Sequence, residues 1–148
     1  MFRTNKVYVK DDFSSDKKDI KLKFDLLDIE KEIEKDRKIE EAAKQFMNEY
    51  TRDLNTAYEK RSFSLINRYF KPNSELANHI KYMVESKKKS QYSMPLFTGY
   101  KKNENGNTIE IELIKKDKNK KKIKLYYVLD YSKQNNEFQL ISYHDILG

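Results

Sequence analysis

The chain has 148 residues, enough for one domain, and 37% of them are charged, well above the roughly 25% of an average protein. Its net charge of +7 favours anionic partners such as nucleic acid, an anionic lipid surface or a cell-wall polyanion. The absence of cysteine excludes disulfides, thiolate catalysis and cysteine-based zinc sites. No run approaches the roughly 18 apolar residues of a membrane span, and no signal peptide is recognisable, so we expect a soluble chain.

Residues 1–30 are predicted to form a β-hairpin, interpreted either as a remnant of a preceding domain or as an extra edge for the main sheet, and residues 31–148 are predicted to form the main domain. Residues 7–10 have the character of a short strand. Residues 20–26 alternate apolar and polar side chains, as a half-buried strand does. The charge-dense segment 28–38 indicates a solvated helical lead-in, because several of its acid–lysine pairs attract at helical spacing.

Apolar residues recur every three or four positions between residues 39 and 84, which predicts three helices. The main helix has one apolar face, formed by Ile39, Ala43, Phe46, Met47, Tyr50, Leu54, Ala57 and Tyr58. Ser62 begins a short second helix, which the Lys71-Pro72 step ends, and Ser74 caps the third. We expect the main helix to bury its apolar face against the sheet that follows.

From residue 91 onward the apolar period changes to two, which predicts an antiparallel meander of about four strands. We place these strands within residues 92–101 and at 108–114, 123–131 and 138–143. Tyr126 and Val128 on the outward face of the third strand predict that this strand is central and covered on both sides. Helices followed by strands indicate an α+β fold with the helices on one face of the sheet, which can curl and leave a pocket.

Motifs that carry chemistry are mostly missing. His79 and His144 are far apart in the sequence and are interpreted as surface residues, and there is no P-loop, nucleophile elbow or metal-binding histidine pair. Asp130 lies mid-strand on the side of Tyr126 and Val128. An acid there could act as a general base under covering helices, or it could simply pair with a lysine. We predict no catalytic residue, no cofactor and no metal site.

The densest charge run lies around the turn between the second and third strands. Its seven lysines are Lys115, Lys116, Lys118, Lys120, Lys121, Lys122 and Lys124. Ammonium groups projecting together from a hairpin tip would bind polyanions additively and with salt-dependent strength. No aromatic residue is interleaved for base stacking, so no specific nucleic acid is expected. A solubilising loop that prevents edge-to-edge association is the alternative interpretation.

Four segments carry a resemblance to a known family: residues 46–50 (FMNEY), 57–66 (AYEKRSFSLI), 69–74 (YFKPNS) and 137–143 (EFQLISY). They resemble the C-terminal domain of the TcaA/YvbJ family of Gram-positive membrane-associated proteins. That resemblance implies the nuclear transport factor 2-like fold, a cone in which three helices pack on a curved antiparallel sheet. These are packing motifs, so they supply no catalytic residues to carry over.

The resemblance implies an extracytoplasmic, cell-envelope domain linked to glycopeptide antibiotic response. Full-length relatives carry it behind a zinc ribbon and one membrane helix, so this chain is expected to be a truncated copy, an excised domain or a stand-alone relative. We expect a non-enzymatic binding domain that contacts an anionic wall polymer or membrane surface, with a protein partner or homodimer through the sheet face. The alternatives are a small-molecule enzyme of the same cone fold using Asp130, and an intracellular nucleic-acid-binding module.

Overall fold

The computed structural model describes residues 13–86, 89–103 and 106–146, and the side chains from residue 26 onward. The described residues fall into two units that divide between Glu41 and Ala42. Helix α1, Phe13–Lys60, contributes 48 residues to them. Among the described residues, none of the helices combines the length and the apolar character needed to cross a membrane.

The first unit presents a helical surface rich in charge. Arg37 forms ion pairs with Glu34 at 2.6 Å and with Glu41 at 2.7 Å, at the i,i+3 and i,i+4 spacings that bring helical side chains together. All three side chains are about half exposed or more, so these pairs contribute little to stability. Segment 28–38 is therefore the solvated helix that its composition predicts.

The predicted N-terminal hairpin is wrong in its second strand. Residues 20–26 lie within α1, whereas the first predicted strand, residues 7–10, lies outside the described residues. No glycine or proline interrupts the chain between Phe13 and Lys60. Extending an existing helix costs far less than starting one, so the helix that follows outweighs the short alternating pattern. The predicted domain boundary after residue 30 stays a prediction.

In the second unit, α1 buries the apolar face that its sequence predicts. Met47, Tyr50, Leu54, Ala57 and Tyr58 are all buried. Their spacing of three or four residues places them on one side of the helix, where they cover the inner face of the sheet. The opposite face keeps its charged residues in solvent.

The predicted second helix is instead two successive turns of 3-10 helix, Phe63–Leu65 and Asn67–Tyr69. They bury Phe63, Tyr69 and Phe70 within a short stretch of chain. The 3-10 geometry repeats every three residues, which matches the spacing of the buried residues Phe63, Ile66 and Tyr69. The third predicted helix is confirmed as α2, Glu75–Glu85, and Ser74 caps it by accepting a hydrogen bond from the Ala77 backbone N–H at 3.1 Å.

Four antiparallel strands follow in sequence order as a meander, which confirms the predicted sheet. They are β1, β2, β3 and β4, at Leu96–Lys102, Thr108–Lys116, Lys122–Ser132 and Glu137–Asp145. Buried and partly exposed side chains alternate along β2 and β3. The third strand is central, as predicted, but it is covered on one side only, since Tyr126 and Val128 stay half-exposed. Contact of this outer face with a protein partner or a second copy stays a prediction.

A β-bulge shifts the pairing of β3 with β4. Val128 lies opposite Ser142, whereas Leu129 lies opposite Leu140, so β4 carries Ile141 as an extra residue. Beyond the bulge Tyr143 lies opposite Tyr127, and the two rings stack with centroids 5.6 Å apart. The bulge therefore keeps Phe138, Leu140 and Tyr143 on the inner face of β4.

Aromatic contacts join α1 to the sheet. The Tyr50 ring meets Tyr127 edge-on at 6.4 Å between centroids, and Phe46 lies 5.6 Å from Phe138. Tyr50, Leu54, Leu125 and Tyr127 are buried, as the helix-on-sheet prediction requires. Phe46 is the exception: it is half-buried, because it lies where the inner face opens into a cleft.

Leu54→Ala tests this packing. Leu54 is 4% exposed, so we expect the substitution to lower the free energy of unfolding by roughly 2–5 kcal/mol, since lost burial and a new cavity both act against the folded state. Urea titration monitored by circular dichroism measures it. The exposed Glu59→Ala on the same helix is the control, with a change within about 0.5 kcal/mol. A loss for Leu54→Ala no larger than that control would contradict the packing.

Candidate functional site

The β2–β3 turn owes its shape to the one acid within the lysine run. Asp117 accepts hydrogen bonds through Oδ1 from the backbone N–H groups of Asn119 and Lys121, both at 2.9 Å. Lys120 takes a left-handed conformation with φ of 63°. The carboxylate is thus engaged with the backbone of the turn, and Lys118, Lys120, Lys121 and Lys122 project into solvent around it.

Two of the predicted polyanion-binding residues differ from the rest. Lys124 is partly buried and pairs with Glu112 at 3.5 Å across the outer face of the sheet. Lys115 does not lie on the hairpin surface at all, because its side chain is 2% exposed. The inward position follows from strand alternation: Ile111 and Leu113 face the interior, so the residue two positions further along β2 does too. The structure therefore corrects the expectation that Lys115 contacts a polyanion, while Lys116 stays exposed beside it.

The Lys115 ammonium lies among tyrosine rings. Its Nζ atom is 4.8 Å from the ring centroid of Tyr92, 5.7 Å from that of Tyr127 and 5.8 Å from that of Tyr50. These distances are within the range of cation–π attraction, which favours the charged amine. Lys115 has no hydrogen-bond acceptor or ion-pair partner within the described part of the chain.

Tyr92 reaches this position because α1 holds the segment before β1. The side-chain amide of Asn55 donates to the Tyr92 carbonyl at 2.8 Å and accepts from the Tyr92 N–H at 2.9 Å. On the other side, the Ser93 N–H donates to the Lys116 carbonyl at 2.9 Å. An irregular segment is thereby fixed between helix and sheet, with the Tyr92 ring over the amine.

Burial controls the ionisation of this cluster. It lowers the pKa of the Lys115 ammonium from 10.5 to about 7, because an apolar surrounding disfavours the charged form. Burial likewise raises the pKa of the Tyr50 and Tyr127 phenols well above 10, and neighbouring tyrosines add to the effect. The phenols are thus neutral hydrogen-bonding groups at physiological pH, whereas the amine titrates close to it.

A cavity of about 130 Å³ adjoins these groups. Its polar lining comprises Tyr50, Tyr58, Tyr92, Lys115, Tyr127, Tyr143 and Asp145. Its apolar lining includes Leu54, Ile80, Met83, Ile123 and Leu125. This volume is well below the roughly 300–1,000 Å³ of pockets for drug-sized ligands. The cavity can hold water or a molecule of a few non-hydrogen atoms.

Asp130 belongs to a different feature, an open cleft of about 600 Å³ that Phe46, Arg68, Tyr69 and Phe138 also line. Next to this cleft the Tyr69 hydroxyl donates to Asp53 Oδ2 at 2.5 Å. Arg68 Nη2 donates to the same oxygen at 3.1 Å. Asp130 is half-exposed and has no hydrogen-bond or ion-pair partner among residues 26–86, 89–103 and 106–146. It is therefore not the enclosed acid that the general-base hypothesis requires.

Neither histidine lines that cleft, and both are exposed, which confirms their interpretation as surface residues. His144 stacks on Tyr126 at 6.2 Å, and His79 lies 6.5 Å from Tyr143. Over the described part of the chain, no three histidine, aspartate or glutamate side chains come together as metal ligands would. Lys115 has a different position from the one that the sequence predicted: it was expected on the surface of the hairpin, and it is buried on the inner face of the sheet.

Comparison with protein families yields one match, and it covers residues 39–144. The matching family model is described as the TcaA protein NTF2-like domain. The chain belongs to this family. The match spans α2, all but the last residue of the sheet and most of the second unit, in agreement with the fold that the packing motifs predicted. Comparisons with curated proteins and with solved structures gave no significant match.

The pH dependence of stability tests the buried amine in this TcaA-type domain. Lys115 titrates near 10.5 when unfolded and near 7 when folded, so between these values the unfolded chain binds more protons. The free energy of unfolding therefore rises with pH above 7, by up to about 1.4 kcal/mol per pH unit. Lys115→Met should remove this rise.

Urea titrations at pH 7, 8 and 9 measure the free energy of unfolding. These pH values lie below the ordinary pKa of tyrosine, about 10, so tyrosine ionisation does not contribute. Lys81→Met, at an exposed position of α2, is the matched control and should keep the wild-type slope. Identical slopes in wild type and Lys115→Met would show that the amine stays charged throughout, as a strong cation–π contribution would require.

Proposed function

We propose that this chain is a non-enzymatic binding domain of a Gram-positive cell-envelope protein, which contacts an anionic wall polymer or membrane surface through its β2–β3 hairpin. Membership of the TcaA family supports the cell-envelope assignment. The proposal includes an extracytoplasmic location and a link to glycopeptide antibiotic response, which the resemblance to this family implies.

The observation that carries the proposal is the distribution of charge on the hairpin. Lys118, Lys120, Lys121 and Lys122 are exposed, and none of them forms an ion pair with a described residue. The nearest acid in sequence, Asp117, is committed to backbone N–H groups of the turn. Four uncompensated ammonium groups on one short turn create a local positive potential that attracts closely spaced negative charges.

The chemistry of the hairpin favours a phosphate-rich polymer or an anionic bilayer over nucleic acid. Residues 116–122 contain no aromatic side chain on which a base could stack. Lysine ammonium groups act as point charges, which recognise phosphate without reading its substituents. Binding by this surface should therefore depend on charge density and salt, and not on sequence.

The enzyme alternative has weaker support. Asp130 lies half-exposed in an open cleft, without a histidine beside it, and the family match supplies no catalytic residue. A general base needs a partner acid or a positioned substrate proton within hydrogen-bond reach. The described residues offer Asp130 no such partner acid.

The lysine hairpin is tested by replacing Lys118, Lys120, Lys121 and Lys122 together with Gln. We expect wild type to pellet with cell walls that retain teichoic acid, to lose this binding when salt shortens the screening length to a few Å, and not to pellet with stripped walls. The quadruple variant should bind several-fold more weakly. Its stability should change little, because exposed turn positions usually cost under about half a kcal/mol each.

The control for this experiment removes the same charge elsewhere. Lys60, Lys71, Lys81 and Lys133 are exposed outside the hairpin, and their joint replacement by Gln should leave binding close to wild type. If both quadruple variants lost the same amount of binding, binding would depend on the net charge of the protein and not on the hairpin. Cosedimentation with vesicles that contain or lack anionic lipid decides whether the partner is a polymer or a membrane. If wild type and both variants pelleted equally with both kinds of wall, the proposal would be refuted.

Asp130→Asn separates the binding domain from the enzyme alternative. Because Asp130 is half-exposed and unpartnered, we expect an unfolding free energy within about 0.5 kcal/mol of wild type and unchanged cosedimentation. A turnover present in the wild type and abolished by this substitution would instead establish the enzyme.

A further inference from the structure

Several polar groups line this cavity without a hydrogen bond to the described part of the protein. Lys115, Tyr50 and Tyr127 are between 2% and 3% exposed, yet no hydrogen bond joins Lys115 Nζ, the Tyr50 hydroxyl or the Tyr127 hydroxyl to another described residue. Buried polar groups in proteins are mostly hydrogen-bonded to protein or to ordered water. Three groups without a protein partner at one cavity therefore make it a place for water or for a small polar ligand.

The chemistry of the lining specifies that occupant. A lysine amine offers up to three donors when charged, and each phenol offers one more. No ion pair joins Lys115 to a carboxylate among residues 26–86, 89–103 and 106–146, and Asp145 is the one acid that lines the same cavity. An acceptor with negative charge complements this set, because a buried ammonium is costly without a partner.

The rest of the cavity is apolar. Leu54, Ile80 and Leu125 are buried residues of α1, α2 and β3, and all three line it. The volume of about 130 Å³ corresponds to roughly four waters at about 30 Å³ each. A ligand with one anionic head and a short hydrocarbon tail fits both the donors and the walls.

We propose that the cavity between α1, α2 and the inner face of the sheet binds a short-chain carboxylate. Its carboxylate group accepts hydrogen bonds from Lys115 and the Tyr50 and Tyr127 hydroxyls, and its alkyl tail contacts the aliphatic wall. The site is distinct from the hairpin surface, and neither proposal depends on the other.

Carboxylate binding requires the charged form of Lys115, so it is linked to pH. The titratable groups that line the cavity are Tyr50 and Tyr58 from α1, Tyr92 before β1, Tyr127 from β3, and Tyr143 and Asp145 from β4. Helix α2 contributes only Ile80 and Met83. The pKa values of the buried Tyr50 and Tyr127 phenols are raised, so below pH 9 these two stay neutral and the amine governs the titration.

The experiment titrates acetate, propionate and octanoate, with acetamide and propionamide as uncharged counterparts, into the full chain. Backbone amide chemical shifts report binding. We expect saturable shifts at the cavity for acetate and propionate, and none for the amides or for octanoate, whose tail exceeds the cavity. The Kd should rise roughly tenfold per pH unit above the pKa of Lys115, since binding then requires proton uptake.

Lys115→Met keeps the shape of the side chain and removes its charge, so it should abolish carboxylate binding at every pH. Lys81→Met, at an exposed position of α2, should bind as wild type does. The proposal is overturned if Lys115→Met binds propionate as tightly as wild type, if the amides bind equally well, or if no anion gives saturable shifts at the cavity, which would mean that only water occupies it.

Discussion

The strict alternation of inward and outward side chains along β2 and β3 is the constraint on which the rest of the domain depends. Ile109, Ile111 and Leu113 form the floor that α1 covers, and all three are fully buried. A strand cannot turn a single residue outward without losing its register, so Lys115 follows them inside. The domain accommodates this amine with tyrosines, whose ring faces attract a cation while their edges pack as hydrocarbons do.

Most of the second unit could be predicted from the sequence, because periodicity reports burial and burial is what positions these elements. The four strands and the apolar stripe of α1 follow from it directly. The prediction of a strand at residues 20–26 is wrong, because these residues lie in the long helix that continues to Lys60. The second helix failed differently: its apolar spacing is satisfied by two 3-10 turns, which periodicity over so short a segment cannot distinguish.

In the candidate site, local charge composition and strand register predict different positions for the same lysine. Lys115 and Lys116 are neighbours in one charge run, yet the first is buried and the second is exposed. The alternation of apolar residues that begins at Ile109 places Lys115 on the inner face and Lys116 on the outer face. The prediction instead treated the lysines as one continuous surface. The placement of Tyr92 could not have been foreseen, because it depends on hydrogen bonds to Asn55, 37 residues earlier in the chain.

The bulge opposite Val128 has a consequence for how this family can vary. Ile141 is the extra residue in β4, and it lets both Leu140 and Tyr143 face the interior on either side of it. If β4 paired without the bulge, Ile141 would take an ordinary place in the ladder and every later side chain would turn over, bringing Ser142 and His144 inward and turning Tyr143 and Asp145 out. Deleting Ile141 would instead leave the cavity wall as it is, because Leu140, Ser142 and Tyr143 would then alternate as a regular strand does.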